Sequence, residues 1–153
     1  LKLGYNFQCD CLTITPYGGI GNWYERHHLS HGSNFHYSNW FGILGGRLDW
    51  QFDDCLTIGI DAEGFIPIHS HVHFHRFCKN VRVDGKWGGQ VELPIRYNIP
   101  SCYCDNLFIT LAPFYRFIEY GKSKFFTCDI ESFRAPKLRA SDYGAKLYIG
   151  RTF

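Results

Sequence analysis

The fold class is decided by the stretch Arg139-Ala-Ser-Asp-Tyr-Gly-Ala-Lys-Leu-Tyr-Ile-Gly-Arg-Thr-Phe153. Its bulky apolar residues share one parity, and its polar residues share the other. The first set is Tyr143, Ala145, Leu147, Ile149 and Phe153, and the second is Asp142, Lys146, Tyr148 and Thr152. Successive side chains of a β-strand point to opposite faces of a sheet. The stretch therefore predicts a strand with one apolar face and one polar face.

The same period of two recurs through the rest of the chain. It predicts seven strands, at 1–8, 12–24, 36–52, 56–68, 87–99, 107–120 and 139–153. Short connections at 9–11, 53–55 and 100–106 alternate with long ones at 25–35, 69–86 and 121–138. No helical period is present, and no apolar run approaches the roughly 18 residues of a transmembrane helix. We expect a single all-β domain over residues 1–153, built of antiparallel hairpins.

The polar faces of these strands carry charges of both signs. Five are basic and five are acidic: Lys2, Arg47, Arg96, Arg116 and Lys146, with Asp49, Asp61, Glu63, Glu92 and Asp142. A soluble β-domain would turn these charges to water and pack its apolar faces into a shared core. A barrel would instead enclose them, and enclosed charges need partners. For a barrel we expect Arg47, Arg96, Arg116 and Lys146 to pair with the five carboxylates inside a lumen that has no open pore.

The alternating strands, the short and long connections and the final Phe153 together resemble small outer-membrane β-barrel proteins of Gram-negative bacteria. The resemblance implies an up-and-down transmembrane barrel in the bacterial outer membrane. It also implies that Leu147, Ile149 and Phe153 form the signal read by the barrel assembly machinery. Arg151 departs from the pattern, because an apolar or aromatic residue is usual at its parity. Such barrels have even strand numbers, so we expect eight strands, the first of them upstream of Leu1.

The chain contains seven cysteines, and most of them fall in the short turns. The turn cysteines are Cys9, Cys11, Cys55, Cys102 and Cys104, whereas Cys78 and Cys128 fall in long loops. This placement resembles the cysteine-crosslinked envelopes of some intracellular bacteria, which implies disulfide bonds to other envelope proteins. The alternatives are metal-binding thiols and unpaired thiols.

All eight histidines are placed at the end of the predicted barrel that carries the long loops. They form two groups, His27, His28, His31 and His36, then His69, His71, His73 and His75. The second group continues the parity of Asp61 and Glu63, so we expect it to point inward or over the rim. Residues two apart on a strand are about 6.6 Å apart, which suits a shared zinc or copper ion. The alternatives are a polar rim and a pH-responsive loop.

The stretch His36-Tyr-Ser-Asn39 resembles the His-x-Ser-Asn stretch of outer-membrane lipid A deacylases and of the outer-membrane phospholipase. The resemblance implies that His36 is a base and Ser38 a nucleophile, with Asn39 as a helper. The parity of Leu44 and the other apolar residues places His36 and Ser38 on the predicted lipid face. The alternative is a set of interfacial polar residues beside Trp40.

Charge is uneven along the chain, because basic residues outnumber acidic ones in the long loops. Arginine and lysine there would suit the phosphates of lipopolysaccharide. The net charge is only +2 and no nucleic-acid motif is present, so a nucleic-acid partner is not expected. We favour a structural or surface-binding membrane protein over an enzyme. A lipid hydrolase and a metal-binding surface protein are the alternatives.

Overall fold

The computed structural model of the chain describes residues 1–28, 34–74, 79–99, 107–123, 126–128, 131–133 and 137–151. Their strands are β1 (Lys2–Gly4), β2 (Phe7–Cys9), β3 (Leu12–His28), β4 (Asn34–Gln51), β5 (Leu56–Phe74), β6 (Lys79–Glu92), β7 (Ile95–Asn98), β8 (Leu107–Ser123), β9 (Phe126–Cys128), β10 (Glu131–Phe133) and β11 (Leu138–Arg151). Within these residues, no helix is long and apolar enough to cross a membrane.

The strands form one antiparallel sheet in which chain neighbours are sheet neighbours. The order is β1 with β2, then β3, β4, β5, β6 with β7, β8 and β11, while β9 and β10 form a separate hairpin. The turn between β2 and β3 is tight, since Cys9 pairs with Leu12 and Asp10 adopts a φ of 47°. The all-β, antiparallel prediction is confirmed.

The sheet curls into a small barrel. Contacts between the inner faces of strands that are not sheet neighbours show this. The guanidinium of Arg116 on β8 lies 3.8 Å from the ring centre of Trp23 on β3. The rings of Tyr37 on β4 and Tyr120 on β8 stack with their centres 4.8 Å apart. Among the described strands, no ladder joins β11 to β1 or β2.

A β-bulge in β5 exchanges the inner and outer faces of that strand. Trp40 pairs with His69 but Phe41 pairs with Pro67, so Ile68 is an extra residue. Ile68 and His69 are both exposed, and beyond them the even-numbered Ser70 and Val72 are buried. One inserted residue reverses the face of every side chain that follows it.

The long connections predicted at 25–35, 69–86 and 121–138 are wrong in large part, because strand continues into them. β3 runs on to His28, β5 to Phe74 and β8 to Ser123, and β6 already begins at Lys79. The register of β6 against β8 also shifts between residues 83 and 88. These irregularities break the alternation on which the prediction depended, although the hydrogen-bonded ladders continue past them.

The interior differs between the two ends of the barrel. We call the end with the turns at 10–11 and 53–55 the turn end. The opposite end, where β3 and β5 finish, is the rim end. Towards the rim end lies a buried cluster that we call the apolar plug. It consists of Tyr37, Phe41, Phe65, Val72, Val81, Val83, Ile118 and Tyr120. The sequence predicted a polar lumen filled by paired charges, and in the rim half the buried side chains are mainly apolar instead. The reason is that the β5 bulge turns Val72 inward, in a segment expected to be loop.

Position 45, on the inner face of β4, has no room for a side chain. A Cβ added there would lie 2.6–2.7 Å from the ring of Tyr17, too close for any real contact. Gly45→Ala should therefore displace Tyr17 and lower the free energy of unfolding by about 1–3 kcal/mol. Urea unfolding followed by tryptophan fluorescence measures this.

Gly42→Ala is the matched control on the same strand. A Cβ at Gly42 meets nothing closer than a backbone oxygen at 3.8 Å, so this variant should unfold like the native chain. Equal unfolding of the two variants would contradict the close packing of Tyr17 against Gly45.

Candidate functional site

The turn half of the lumen is crossed by ion pairs between side chains of different strands. Lys2 on β1 bonds to Glu63 on β5, and Lys146 on β11 bonds to Glu92 on β6. The first pair spans β3 and β4, and the second spans β8. The inward charges therefore contact one another across the lumen.

Other charged residues of the lumen pair more locally. Arg47 donates from Nε and Nη2 to the two carboxylate oxygens of Asp49, at 2.7 and 2.9 Å. Arg116 bonds to Asp142, which lies directly opposite it on β11. Each pair joins residues predicted to meet inside the barrel.

Tyr17 and Arg96 also belong to this network. The Tyr17 hydroxyl donates to Asp61 and lies 3.3 Å from a carboxylate oxygen of Glu63. Arg96 donates from Nε to Asn98 at 3.0 Å and lies 3.9 Å from the ring centre of Phe108. Sequence reasoning missed Tyr17 as a partner of Asp61, although its odd parity on β3 already placed it inside.

The ion pairs surround a cavity of about 490 Å³ in the turn half of the barrel. Its walls include Lys2, Arg47, Asp61, Glu92, Arg96 and Lys146. The apolar plug occupies the rim half. The arrangement is that of a polar chamber, and its charges are held by partners within the chain.

The outer face of the barrel carries an apolar band. Its exposed large residues include Leu3, Phe7, Ile20, Leu44, Leu48, Trp50, Ile58, Ile60, Ile66, Ile68, Trp87, Val91, Leu93, Ile109, Leu111, Tyr115, Tyr143, Leu147 and Ile149. Leu147 and Ile149, two of the predicted assembly-signal residues, are 65% and 68% exposed, while Phe153 lies outside the described residues. Towards the rim the band ends at Trp40, Ile68 and Trp87.

The histidines of β5 lie on this outer face, beyond the rim edge of the apolar band. They were predicted to point inward or over the rim, and the inward alternative is wrong, because the bulge at Ile68 reverses the parity that they were expected to continue. His71 lies opposite Ser38 in the ladder, and His73 lies opposite His36 with the ring centres 4.9 Å apart.

No metal site forms from these histidines in the part of the chain that the structure describes. The ring centres of His69 and His71 are 5.5 Å apart, but no group of three or more metal-ligating side chains comes together among the described residues. His75, the fourth residue of the predicted zinc or copper site, lies outside them.

Burial, with His69 and His73 close by, lowers the pKa of His71 below its ordinary value. The Nδ1 atom of His71 is buried and has no hydrogen-bond partner within the described residues. The lowered pKa favours the neutral imidazole, in which one ring nitrogen carries no proton.

His36 and Ser38 lie on the outer face, but Asn39 does not. Asn39 is buried inside the barrel, where it accepts a hydrogen bond from Ser70. The role of helper predicted for it is therefore wrong, because neighbouring residues of a strand face opposite ways. Asn22 of β3 occupies that place instead, with its Nδ2 donating to Ser38 Oγ at 3.4 Å.

The cysteines of the described turns are free thiols. Cys9, Cys11 and Cys55 lie at the turn end, and none of these three forms a disulfide. Cys128 lies in β9, and Cys78, Cys102 and Cys104 are outside the described part. The described turn thiols therefore form no disulfide within the chain, and the expected bonds to other envelope proteins stay a prediction.

A charged cluster lies on the outer face at the rim end of β8 and β11. Lys137 Nζ and Arg139 Nε bond to the two carboxylate oxygens of Glu119, at 2.6 and 2.8 Å. These hydrogen bonds, from Lys137 first and then Arg139, hold the pKa of Glu119 below its usual range. Two cations share one carboxylate, which leaves the cluster with a net positive charge.

Comparison with known proteins gives no family. No model of a protein family matches the chain, and no curated protein matches it either. Function therefore has to be argued from the placement of charge, apolar surface and polar side chains.

The pair of Lys2 and Glu63 gives a direct test of the charge network in the lumen. Glu63 is only 7% exposed and binds both Lys2 and Tyr17. Glu63→Leu should lower the free energy of unfolding by about 1–3 kcal/mol, because Lys2 loses its counter-charge inside the barrel.

The double variant Lys2→Met with Glu63→Leu is the control, since it removes both charges together. It should recover most of the lost stability in urea unfolding. A double variant as unstable as Glu63→Leu alone would contradict pairing across the lumen.

Proposed function

We propose that this chain is an integral β-barrel protein of the bacterial outer membrane, with a structural or surface-binding role. One observation carries the proposal: ion pairs line the turn half of the interior, while large apolar side chains cover the outside. Soluble proteins rarely expose continuous apolar surface of this extent. In a bilayer the same surface is matched by lipid, and the ladders satisfy the backbone groups.

The height of the apolar band supports a membrane-spanning role. On β4 the band is bounded by Trp40 and Trp50, and on β5 it runs from Ile58 to Ile68. Each of these two spans covers 11 residues. A tilted transmembrane strand needs about 9–11 residues. Tryptophan at both edges matches the aromatic girdles that lie at membrane interfaces.

The rim end suits the outer leaflet and its lipopolysaccharide. Exposed cations there include Arg82, Lys86, Lys122, Lys137 and Arg139. Arginine and lysine bind phosphate strongly, so lipopolysaccharide is the partner we propose. Assembly of the barrel would use the general outer-membrane machinery, which reads Leu147 and Ile149 on β11 together with Phe153.

Strand direction supports a barrel of eight strands. Each strand along the path from β1 to β11 is antiparallel to the one before it, so β1 and β11 run the same way. Direct pairing between them would be parallel. One further strand, antiparallel to both, would close the barrel and cover the inner residues of β11. Two of these, Asp142 and Tyr148, are half exposed at this edge.

Membrane insertion is tested by refolding into lipid vesicles. The native chain should become protease-resistant and run at a shifted position on unheated gels, but only with detergent or lipid. Leu147→Lys places a charge in the apolar band and should weaken insertion by about 2–4 kcal/mol. Leu147→Val, an apolar change at the same position, should insert normally. Monodisperse behaviour in water without detergent would contradict the proposal.

The second candidate function is hydrolysis of lipid acyl esters on the outer face. Ser38 lies just beyond Trp40, opposite the neutral imidazole of His71, and Asn22 donates to its Oγ. A histidine could take the proton from Ser38 Oγ as that oxygen attacks an ester carbonyl, and give it to the alcohol that leaves when the ester C–O bond breaks. Water would then release the acyl group from the serine. His36 and His71 are the two candidate bases.

Ser38→Ala should abolish acyl release from lipid A or phospholipid presented in mixed micelles. Of His36→Gln and His71→Gln, the variant that loses the activity identifies the base. Ser141→Ala is the control, because it removes a serine hydroxyl from the outer face of a different strand, β11. This variant should stay active. Full activity in Ser38→Ala would exclude this function.

A further inference from the structure

A groove with aromatic walls lies on the outer face between β6, β8 and β11. It has a volume of about 270 Å³, and its outward-facing walls are Trp87, Tyr115, Phe117, Glu119, Arg139 and Ser141. Trp87 packs edge-on against Phe117, with the ring centres 5.1 Å apart. Trp87 and Tyr115 are 70% and 52% exposed, so the groove opens outward.

The groove crosses the boundary between apolar and charged surface. Along β8 its floor runs from Tyr115 through Phe117 to Glu119, and on β11 Arg139 lies opposite Glu119. One end is therefore aromatic and the other is charged. A ligand that fits both ends has an apolar part and a charged part.

The charge at the rim end of the groove selects an anion. Glu119 is the acid there, and both of its oxygens are taken by Lys137 and Arg139. Arg139 uses Nε for this bond and is 76% exposed. Its two terminal amino groups have no partner within the described residues, and a guanidinium offers them in a planar fork that suits phosphate.

We infer that this groove is a binding site for a membrane lipid with an anionic phosphate headgroup. The phosphate binds the terminal amino groups of Arg139, with Lys137 beside it, and an acyl chain lies along Trp87, Phe117 and Tyr115. Glu119 acts as a positioning residue that holds the guanidinium in place. The inference rests on the proposed membrane location.

The test is native mass spectrometry of the detergent-purified chain with phosphatidylglycerol or phosphatidylcholine. Phosphatidylglycerol should be retained in preference to phosphatidylcholine. Arg139→Gln should lower retention of phosphatidylglycerol about tenfold, the loss expected when a hydrogen-bonded charge is removed. Trp87→Ala should weaken both lipids alike, because it removes the wall for the acyl chain. Inorganic phosphate should not compete at millimolar concentration, which would separate lipid binding from free phosphate binding.

Arg26→Gln is the matched control, since Arg26 is an exposed outer-face cation on β3, far along the sheet from the groove. It should change retention less than twofold. An equal loss in Arg26→Gln and Arg139→Gln would overturn the site in favour of diffuse attraction. Retention of both lipids by Arg139→Gln at native levels would overturn it as well.

Vesicle insertion distinguishes this outcome from failure of the proposed function. If the chain inserts but Arg139→Gln has no effect, the lipid site is wrong and the barrel location stands. If the native chain neither inserts nor retains lipid, the membrane proposal itself fails.

Discussion

The architecture depends on enclosing charged side chains together with their counter-charges. Lys2, Arg47, Arg116 and Lys146 each have a carboxylate partner inside the curled sheet. An isolated charge in such a space would cost several kcal/mol, and removing one member of a pair exposes that cost. Because the polar faces satisfy one another in this way, the apolar faces are left to face outward. The outward apolar band is therefore a consequence of pairing inside.

The bulge in β5 sets where this arrangement changes along the barrel axis. Below Ile68 the odd-numbered residues of β5, such as Asp61 and Glu63, face the polar chamber. Above it Ser70 and Val72 face inward and the histidines face outward. The same inserted residue thus closes the rim half with apolar side chains and places imidazoles opposite Ser38. Bulges often re-aim side chains next to functional sites, and this one does so for three histidines together.

The sequence predicts the regular part of this structure and fails where the register changes. β4 was predicted at 36–52 and is found at Asn34–Gln51, because its alternation is unbroken. β5 was predicted to end at residue 68, where an extra residue breaks the alternation while the ladder continues. Inward charges such as Asp49 and Glu92 follow from parity alone. Their individual partners do not, because contacts between strands depend on how far the sheet curls.

The candidate sites on the outer face share one structural origin, although their chemistry differs. Strands β3 to β6, β8 and β11 extend beyond the level marked by Trp40 and Trp87. The outer-face side chains beyond that level are polar and form the edge of the apolar band. On β4 and β5 that edge carries Ser38 with imidazoles. On β8 and β11 it carries Glu119 with Arg139. If the barrel spans a bilayer as we propose, a lipid at this level would have its headgroup and its ester bonds next to these strands. In the proposed membrane location, the depth set by the tryptophans would determine which part of a lipid each group of side chains reaches. Ser38 would then lie near the ester bonds, and Arg139 would lie near the phosphate.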